Sequence, residues 1–501
     1  MKSTQKTTPF VNKFSITLLL LISFTSMVSA QTGGANYQAG PNMMRAKIFP
    51  PATLLDNGKV ITFGGREVNF VSCSYSDLYD PTTNTFTESA MNYPHDGSAI
   101  IKLSDGKYFL VGGSEDLGIA PGYATTEMYN PLTNTFDIKA NLIQKRCNVS
   151  GAQLNNGKVL IVGAWYNNNG AANGEVYDTS SNTFSATAST LLQPRAQPIV
   201  LPTNDGGAII AGGYPTFGGP VYTSVEYYQT ATNDFVAQSA ELIPADPGWL
   251  LNSVYTKPLS DLQMSNGKYL LLASRSGASG AEYAMIQFDP ANKQFTKFLT
   301  VDPLKDSLTD GGFFDVILNK TDNFAYLIGI DSATDPNKLS MITVNLTTGE
   351  AFHPTNTFTM PANEYFYAAY TYIPSKNQIL VQGINETNAG YFTGTNKTYL
   401  LTPLITLGTN ASTVQNDFQL SIYPNPAQEE LNVAFRSEKY ASANIAIIDM
   451  FGRKVLHDNN ISIDAGITKL KYRTHLLSPG LYQLIISSGS QVSTNRISIT
   501  Q

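Results

Sequence analysis

The sequence predicts an all-β chain: a seven-bladed β-propeller, in which small four-stranded sheets stand around an axis, followed by a small immunoglobulin-like β-sandwich. Three observations predict it. One block of landmarks recurs at intervals of 48, 51 and 49 residues, counted between the turn glycines Gly58, Gly106, Gly157 and Gly206. Composition favours strands and tight turns over helices, since only 14% of residues are charged, 11% are aromatic and 39 of the 501 are glycine. The repeat stops near residue 403, and a different set of short alternating strands then runs to the end of the chain.

Residues 1–30 read as a secretory signal peptide. Lys2, Lys6 and Lys13 give a positive start, residues 16–24 are apolar but too few to span a bilayer, and Val28, Ser29 and Ala30 place small side chains at a cleavage site. The mature chain is expected to begin at Gln31, with no transmembrane segment after it. A net charge of −6 and a pI near 5.3 argue against nucleic acid as a partner, which needs clustered Lys and Arg. Only Cys73 and Cys147 occur, so no disulfide framework holds the fold, and both read as partly buried thiols.

Residues 31–403 carry the repeat: an apolar strand, an Asn/Asp-Gly turn, an apolar strand ending in Gly-Gly, a variable loop, then Tyr-Asp-Pro and Asn-Thr-Phe. The first copy reads Asn57-Gly58, Gly64-Gly65, Tyr79-Asp80-Pro81 and Asn84-Thr85-Phe86. Later copies bring Asp105-Gly106 with Tyr129 and Phe136, Asn156-Gly157 with Tyr177 and Phe184, Asp205-Gly206 with Tyr228 and Phe235, and Asn266-Gly267 with Phe288 and Phe295. Two weaker copies make seven. Asn-Gly and Asp-Gly suit two-residue hairpin turns, which need positive φ. Each block gives a sheet too small to bury its own faces, so radial packing against its neighbours is expected, with the Tyr and Phe between blades. Residues 36–45 resemble the end of a block (compare 142–146 and 191–195), so the N-terminal segment is expected to supply the outer strand of the seventh blade and close the ring.

These landmarks resemble the kelch-repeat family, in particular the propeller of galactose-oxidase-like proteins, over residues 36–403. Phe86, Phe136, Phe184 and Phe235 stand where kelch repeats usually carry Trp. Residues 404–416 form a polar linker, and residues 417–501 show Tyr423-Pro424-Asn425-Pro426, Gly452-Arg453-Lys454-Val455 and Ser478-Pro479-Gly480-Leu481-Tyr482 in order. That series resembles the type A C-terminal sorting domain of Bacteroidetes type IX secretion. The resemblance implies the type IX machinery as a partner, passage across the outer membrane, and release or anchoring at the surface.

Copper chemistry of the oxidase relatives needs at least two imidazoles near the axis. Only His95 and His353 lie in the propeller, and His95 occupies the between-blade position that reads as Arg45, Arg146 and Arg195 elsewhere, so no metal site and no cofactor are expected. Zinc, serine-hydrolase and phosphate-loop motifs are missing. Asp302, Asp306, Asp310 and Asp315 read as a solvated loop into blade six, although carboxylate pairs can serve glycoside hydrolysis or calcium binding. The functional clue is one face, where the loops between second and third strands meet the connections between blades. The interval of 61 residues from Gly206 to Gly267 is expected to carry its excess there, before the first strand of blade five. The candidate ligand-binding residues on this face are Arg45, Arg66, His95, Arg146, Trp165, Tyr166, Arg195, Tyr214, Trp249 and Arg275. Aromatics beside Arg and carboxylates suit an extracellular glycan or protein ligand. The other readings are a carbohydrate-active enzyme (hydrolase, lyase or non-copper oxidase) and an adhesive surface component.

Overall fold

The computed structural model describes residues 35–48, 50–67, 71–114, 122–164, 173–215, 221–252, 257–277, 280–301, 313–332, 335–352, 358–359, 361, 364–365, 368–388, 391–403, 419–437, 441–449, 454–463, 466–488 and 491–500. Residues 1–30, read from the sequence as a signal peptide, and residues 404–416, read as a linker, lie outside them.

Seven four-stranded antiparallel sheets follow one another along the chain. Blade 1 is Ala52–Leu54, Val60–Phe63, Tyr75–Asp80 and Thr85–Ala90, ordered from the axis outward. Blades 2, 3 and 4 repeat this order from Ala99–Lys102 to Thr135–Ile138, from Ser150–Gln153 to Thr183–Thr190, and from Ile199–Pro202 to Asp234–Ser239. Blade 5 runs from Leu250–Leu251 to Gln294–Val301. Blade 6 runs from Phe313–Asn319 to Ala351–Phe352, with Phe358–Thr359 added to its third strand. Blade 7 takes three strands from Ala369–Ile373, Gln378–Gln382 and Tyr399–Pro403, and its outer strand is Ala35–Ala39, antiparallel to Tyr399–Pro403. The N-terminal segment therefore closes the ring, and no blade is left with the edge strand its own sequence lacks.

The turns follow the sequence pattern. Gly58, Gly106, Gly157, Gly206 and Gly267 all have φ between 82° and 90°. In the outer hairpins Asn84, Asn134, Asn182 and Asn233 adopt positive φ, and each receives the hydroxyl of the landmark tyrosine, as Tyr79 to Asn84 at 2.8 Å. Of the paired glycines, Gly112 shows why no side chain is accepted: a Cβ there would lie 2.5 Å from the Arg146 carbonyl oxygen of the passing connection.

Hydrophobic clusters sit between blades rather than within them. Phe63, Tyr108, Leu110 and Tyr129 join blades 1 and 2, Phe109, Val111, Val159 and Tyr177 join 2 and 3, and Val60, Tyr79, Ile373 and Leu380 join 7 to 1. Phe109 stacks on Tyr177 across the junction at 4.4 Å between ring centroids. Residues 419–500 form a sandwich of a three-stranded sheet (Gln419–Tyr423, Glu430–Ser437, Gly466–Arg473) and a four-stranded sheet of Ala441–Asp449, Lys454–Ile463, Gly480–Ser488 and Gln491–Ile499. Its own core contains Leu431, Val433, Ile445, Ile447, Leu484, Ile486 and Ile497.

Candidate functional site

A buried basic side chain enters each of the first four blades from the preceding connection. Arg146 donates from Nε to Glu175 at 3.0 Å, from Nη1 to the Gly163 carbonyl at 3.0 Å and from Nη2 to the Asn173 carbonyl at 2.6 Å. Arg195 repeats this toward Glu226 and the carbonyls of Gly212 and Ser224. His95 takes the same seat in blade 2, with Nε2 2.9 Å from Glu127 and Nδ1 2.8 Å from the Gly112 carbonyl. In blade 1 the seat belongs to Lys47, 2.7 Å from Asp77 and 4.2 Å over the Tyr75 ring. The carboxylates also accept backbone N–H groups of the connection, as Glu127 does from Asn92 and Tyr93. Burial works to raise the Glu127 pKa, but the His95 and Asn92 hydrogen bonds outweigh it and hold the group below its ordinary value.

These seats correct the sequence reading. His95, Arg146 and Arg195 are 0–1% exposed and belong to blade junctions rather than to an open rim. Arg45 is not their counterpart: it lies exposed over the Tyr75 ring and pairs with Glu88 at 2.8 Å. Trp249 is buried beneath Arg275, whose guanidinium lies 4.4 Å above the indole, and its Nε1 donates to Asp246 at 3.0 Å. Arg275 is half-buried and held by Asp246 and Glu282, and Arg66 pairs with Asp96 at 2.6 Å. Trp165 and Tyr166 lie outside the described residues, as do Asp302, Asp306, Asp310 and His353. Asp315 is in the inner strand of blade 6, not in a solvated loop, and pairs with Lys257 at 2.7 Å. Cys73 and Cys147 are buried and form no disulfide with each other, and burial pushes the Cys73 thiol up to about 11.

The channel is blocked by a segment the repeat does not contain. The first strand of blade 5 stops at Leu251 and resumes where Gln263 bridges to Tyr269 and Met264 N–H donates to Lys268, so the excess lies within that strand rather than before it. The intervening chain includes a 3-10 turn, Leu259–Leu262, that reaches the inner strands of blades 1, 2 and 6. Asp261 accepts from the Thr53 hydroxyl at 3.0 Å, and Lys320 donates to the Ser260 carbonyl at 2.8 Å. Above this plug is a cavity walled by the starts of the first strands of blades 2, 3 and 4, with Ser98, Asn148, Ser150 and Gln197 on its wall and Lys257 and Leu259 on its floor. Of the predicted candidates among the described residues, only Tyr214 reaches this group, donating its hydroxyl to Gln197. Gly97, Asn148 and Gln197 stand two residues after His95, Arg146 and Arg195 and share positive φ, of 66°, 51° and 49°. Asn148 and Gln197 are not among the candidates read from the sequence, and their place two residues after Arg146 and Arg195 is the signal that would have found them.

Residues 421–500 match the family described as the secretion system C-terminal sorting domain. The C-terminal sandwich is a sorting domain. Of the landmarks read from the sequence, Tyr423, Lys454, Val455 and Gly480 to Tyr482 lie in its strands, Pro424 to Pro426 and Ser478-Pro479 lie between strands, and Gly452 and Arg453 lie outside the described residues. The match supports export through a secretion system. The propeller that precedes the sorting domain has its counterpart in a solved structure, a fungal alcohol oxidase of the AA5 family in complex with copper. The likeness covers 94% of this chain and 100% of that one, at 12% identity and a TM-score of 0.52. At that identity the likeness establishes a galactose-oxidase-like propeller fold and nothing of the chemistry. No curated protein matches the sequence significantly.

Among the described residues ahead of the sorting domain, no donor set fits copper. Both ring nitrogens of His95 are engaged by Gly112 and Glu127. Among the described residues no three His, Cys, Asp or Glu side chains come together in a way that holds a metal ion. Among the described residues no helix is long and apolar enough to cross a membrane.

Proposed function

We propose that this chain is a secreted or surface-displayed sugar-binding protein, directed out of the cell by the signal peptide of residues 1–30 and the sorting domain, with its ligand taken at the axial cavity on the loop face. The observation that carries the reading is the cavity itself: a recess closed below by the plug and lined by the amides of Asn148 and Gln197 and the hydroxyls of Ser98 and Ser150. Side chains of this kind hydrogen-bond sugar hydroxyls, and the aromatics predicted on the same face, Trp165 and Tyr166, suit stacking on sugar rings. Buried ion pairs between blades suit a rigid frame that holds such a recess in one shape.

The test is a glycan array probed with the labelled full chain. Binding to a defined set of sugars, weakened by Trp165→Ala, is the expected result. An array on which nothing binds while a protein partner is captured would replace sugar by protein as the ligand. Turnover of a bound polysaccharide would move the chain to the carbohydrate-active enzymes.

A further inference from the structure

We infer that Asn148 is the residue that reads the ligand, and that the ligand is an uncharged sugar offering a hydroxyl or ring oxygen as hydrogen-bond acceptor. The inference rests on the binding role proposed above and adds the class of sugar. Asn148 lines the cavity yet is only 7% exposed. Its Oδ1 accepts from Gln197 Nε2 at 2.7 Å, while its Nδ2 has no acceptor among the described residues. A donor at a cavity wall with no acceptor among the described residues is open to water or to a ligand oxygen, and a ligand that supplies the oxygen replaces that water.

The orientation of the amide is fixed by its neighbours. The Tyr214 hydroxyl donates to Gln197 Oε1, which turns Gln197 Nε2 toward Asn148 and requires Asn148 to present oxygen to it. That leaves Nδ2 as the end of the Asn148 amide without an acceptor among the described residues, in a residue that lines the cavity. Donation runs one way, from Tyr214 through Gln197 to Asn148, and each bond polarises the next. The backbone holds the same pair together, with Gln197 N–H donating to the Asn148 carbonyl at 2.9 Å. Gly97 keeps the approach open: a Cβ there would lie 3.1 Å from Asn148 Oδ1.

Charge selects against acidic ligands. The cation at the cavity floor, Lys257, is already 2.7 Å from Asp315. Arg146 and Arg195, in the neighbouring connections, are buried and matched by Glu175 and Glu226. A carboxylate or sulfate entering the recess would lose water and gain no unmatched cation among the described residues.

Calorimetric titration of the full chain with neutral oligosaccharides, and with uronic-acid or sulfated oligosaccharides of the same length, tests this on wild type, Asn148→Gly and Asn148→Asp. Glycine keeps the positive φ and deletes the amide, whereas aspartate keeps the shape and replaces the donor with an acceptor. Neutral sugars should bind wild type, lose about tenfold with Asn148→Gly and about a hundredfold with Asn148→Asp, at unchanged melting temperature. Should either variant melt early, Gln197→Met, which releases the amide, is read instead and should weaken binding roughly threefold to tenfold. Neutral sugars bound equally by wild type and all variants would overturn the inference and leave the binding role standing. Tighter binding of the acidic sugars would also overturn it. If no sugar binds wild type, the proposed function itself falls.

Discussion

At the scale of single residues, the propeller is organised by charges it hides. Arg146 and Glu175 are each 1% exposed, and the carboxylate also holds the N–H groups of Ile143 and Gln144. Removing one partner of such a pair strands the other without water. Arg146→Met should therefore cost about 3–5 kcal/mol in chemical denaturation, with Glu175→Leu in the same range. His95→Arg is the opposite case, because the guanidinium has the same two targets, a carboxylate and a glycine carbonyl 17 residues on, that it meets in blades 3 and 4. It should fold with stability within about 1 kcal/mol of wild type, whereas His95→Leu should behave like Arg146→Met. The pH dependence has a definite sign. The Glu127 carboxyl is held below its ordinary 4.5 in the folded chain, so its contribution is present above that pH and is lost as pH falls through the folded value. Wild type should thus lose stability more steeply than Glu127→Gln on acidification below about 4.5, measured as midpoint against pH. A parallel slope in both would contradict the assignment. Three of the four basic residues, His95, Arg146 and Arg195, were visible in the sequence, Arg45 having been read in the seat that Lys47 takes. Their partners were not: each carboxylate stands two residues before the landmark tyrosine, Asp77, Glu127, Glu175 and Glu226 before Tyr79, Tyr129, Tyr177 and Tyr228. That regularity was available, and it alone distinguishes a buried clamp from a charged rim.

At the scale of elements, what repeats was legible and what interrupts the repeat was not. Turn chemistry announces itself because positive φ restricts the residue types, so Asn-Gly and Asp-Gly located five hairpins. The axial plug has no such signature, since a 3-10 turn in an insertion obeys no period, and its anchor Asp261–Thr53 spans 208 residues. The interval length signalled an insertion but placed it before the strand it in fact divides. The closing strand was legible because Ala35–Ala39 and its downstream segment match the ends of other blades. In that strand Ala35 is buried and the next four residues are exposed, so its stabilisation is mainly the ladder with Tyr399–Pro403. At about 1 kcal/mol per ladder hydrogen bond, a chain beginning at Gly40 should lose several kcal/mol. Removal of residues 31–34 alone serves as the comparison. Equal melting temperatures for the two truncations would show that the ring does not depend on this strand.

At the scale of the whole molecule, stability and export are assigned to separate lengths of chain. The propeller's last strand, Tyr399–Pro403, is clasped by the N-terminal strand, so both ends of the ring meet at one seam, and among the described residues nothing beyond Pro403 contributes a blade strand. The sorting domain buries a core of its own, from Leu431 to Ile499, and its sheets draw no strand from the propeller. A chain ending at residue 416 should for these reasons melt at the same temperature as the propeller transition of the full chain. It should also keep the buried pairs of its junctions, and with them the shape of the axial cavity and its sugar binding. Export is the property it should lose, because the residues that match the sorting family begin at 421. Expressed in a host with the type IX machinery, the truncated chain should be recovered from the periplasm and the full chain from the surface or medium, as read by fractionation and immunoblotting. Normal export of the truncated chain would remove the sorting role from residues 421–500, and a lowered propeller melting temperature would show that the two lengths of chain support each other.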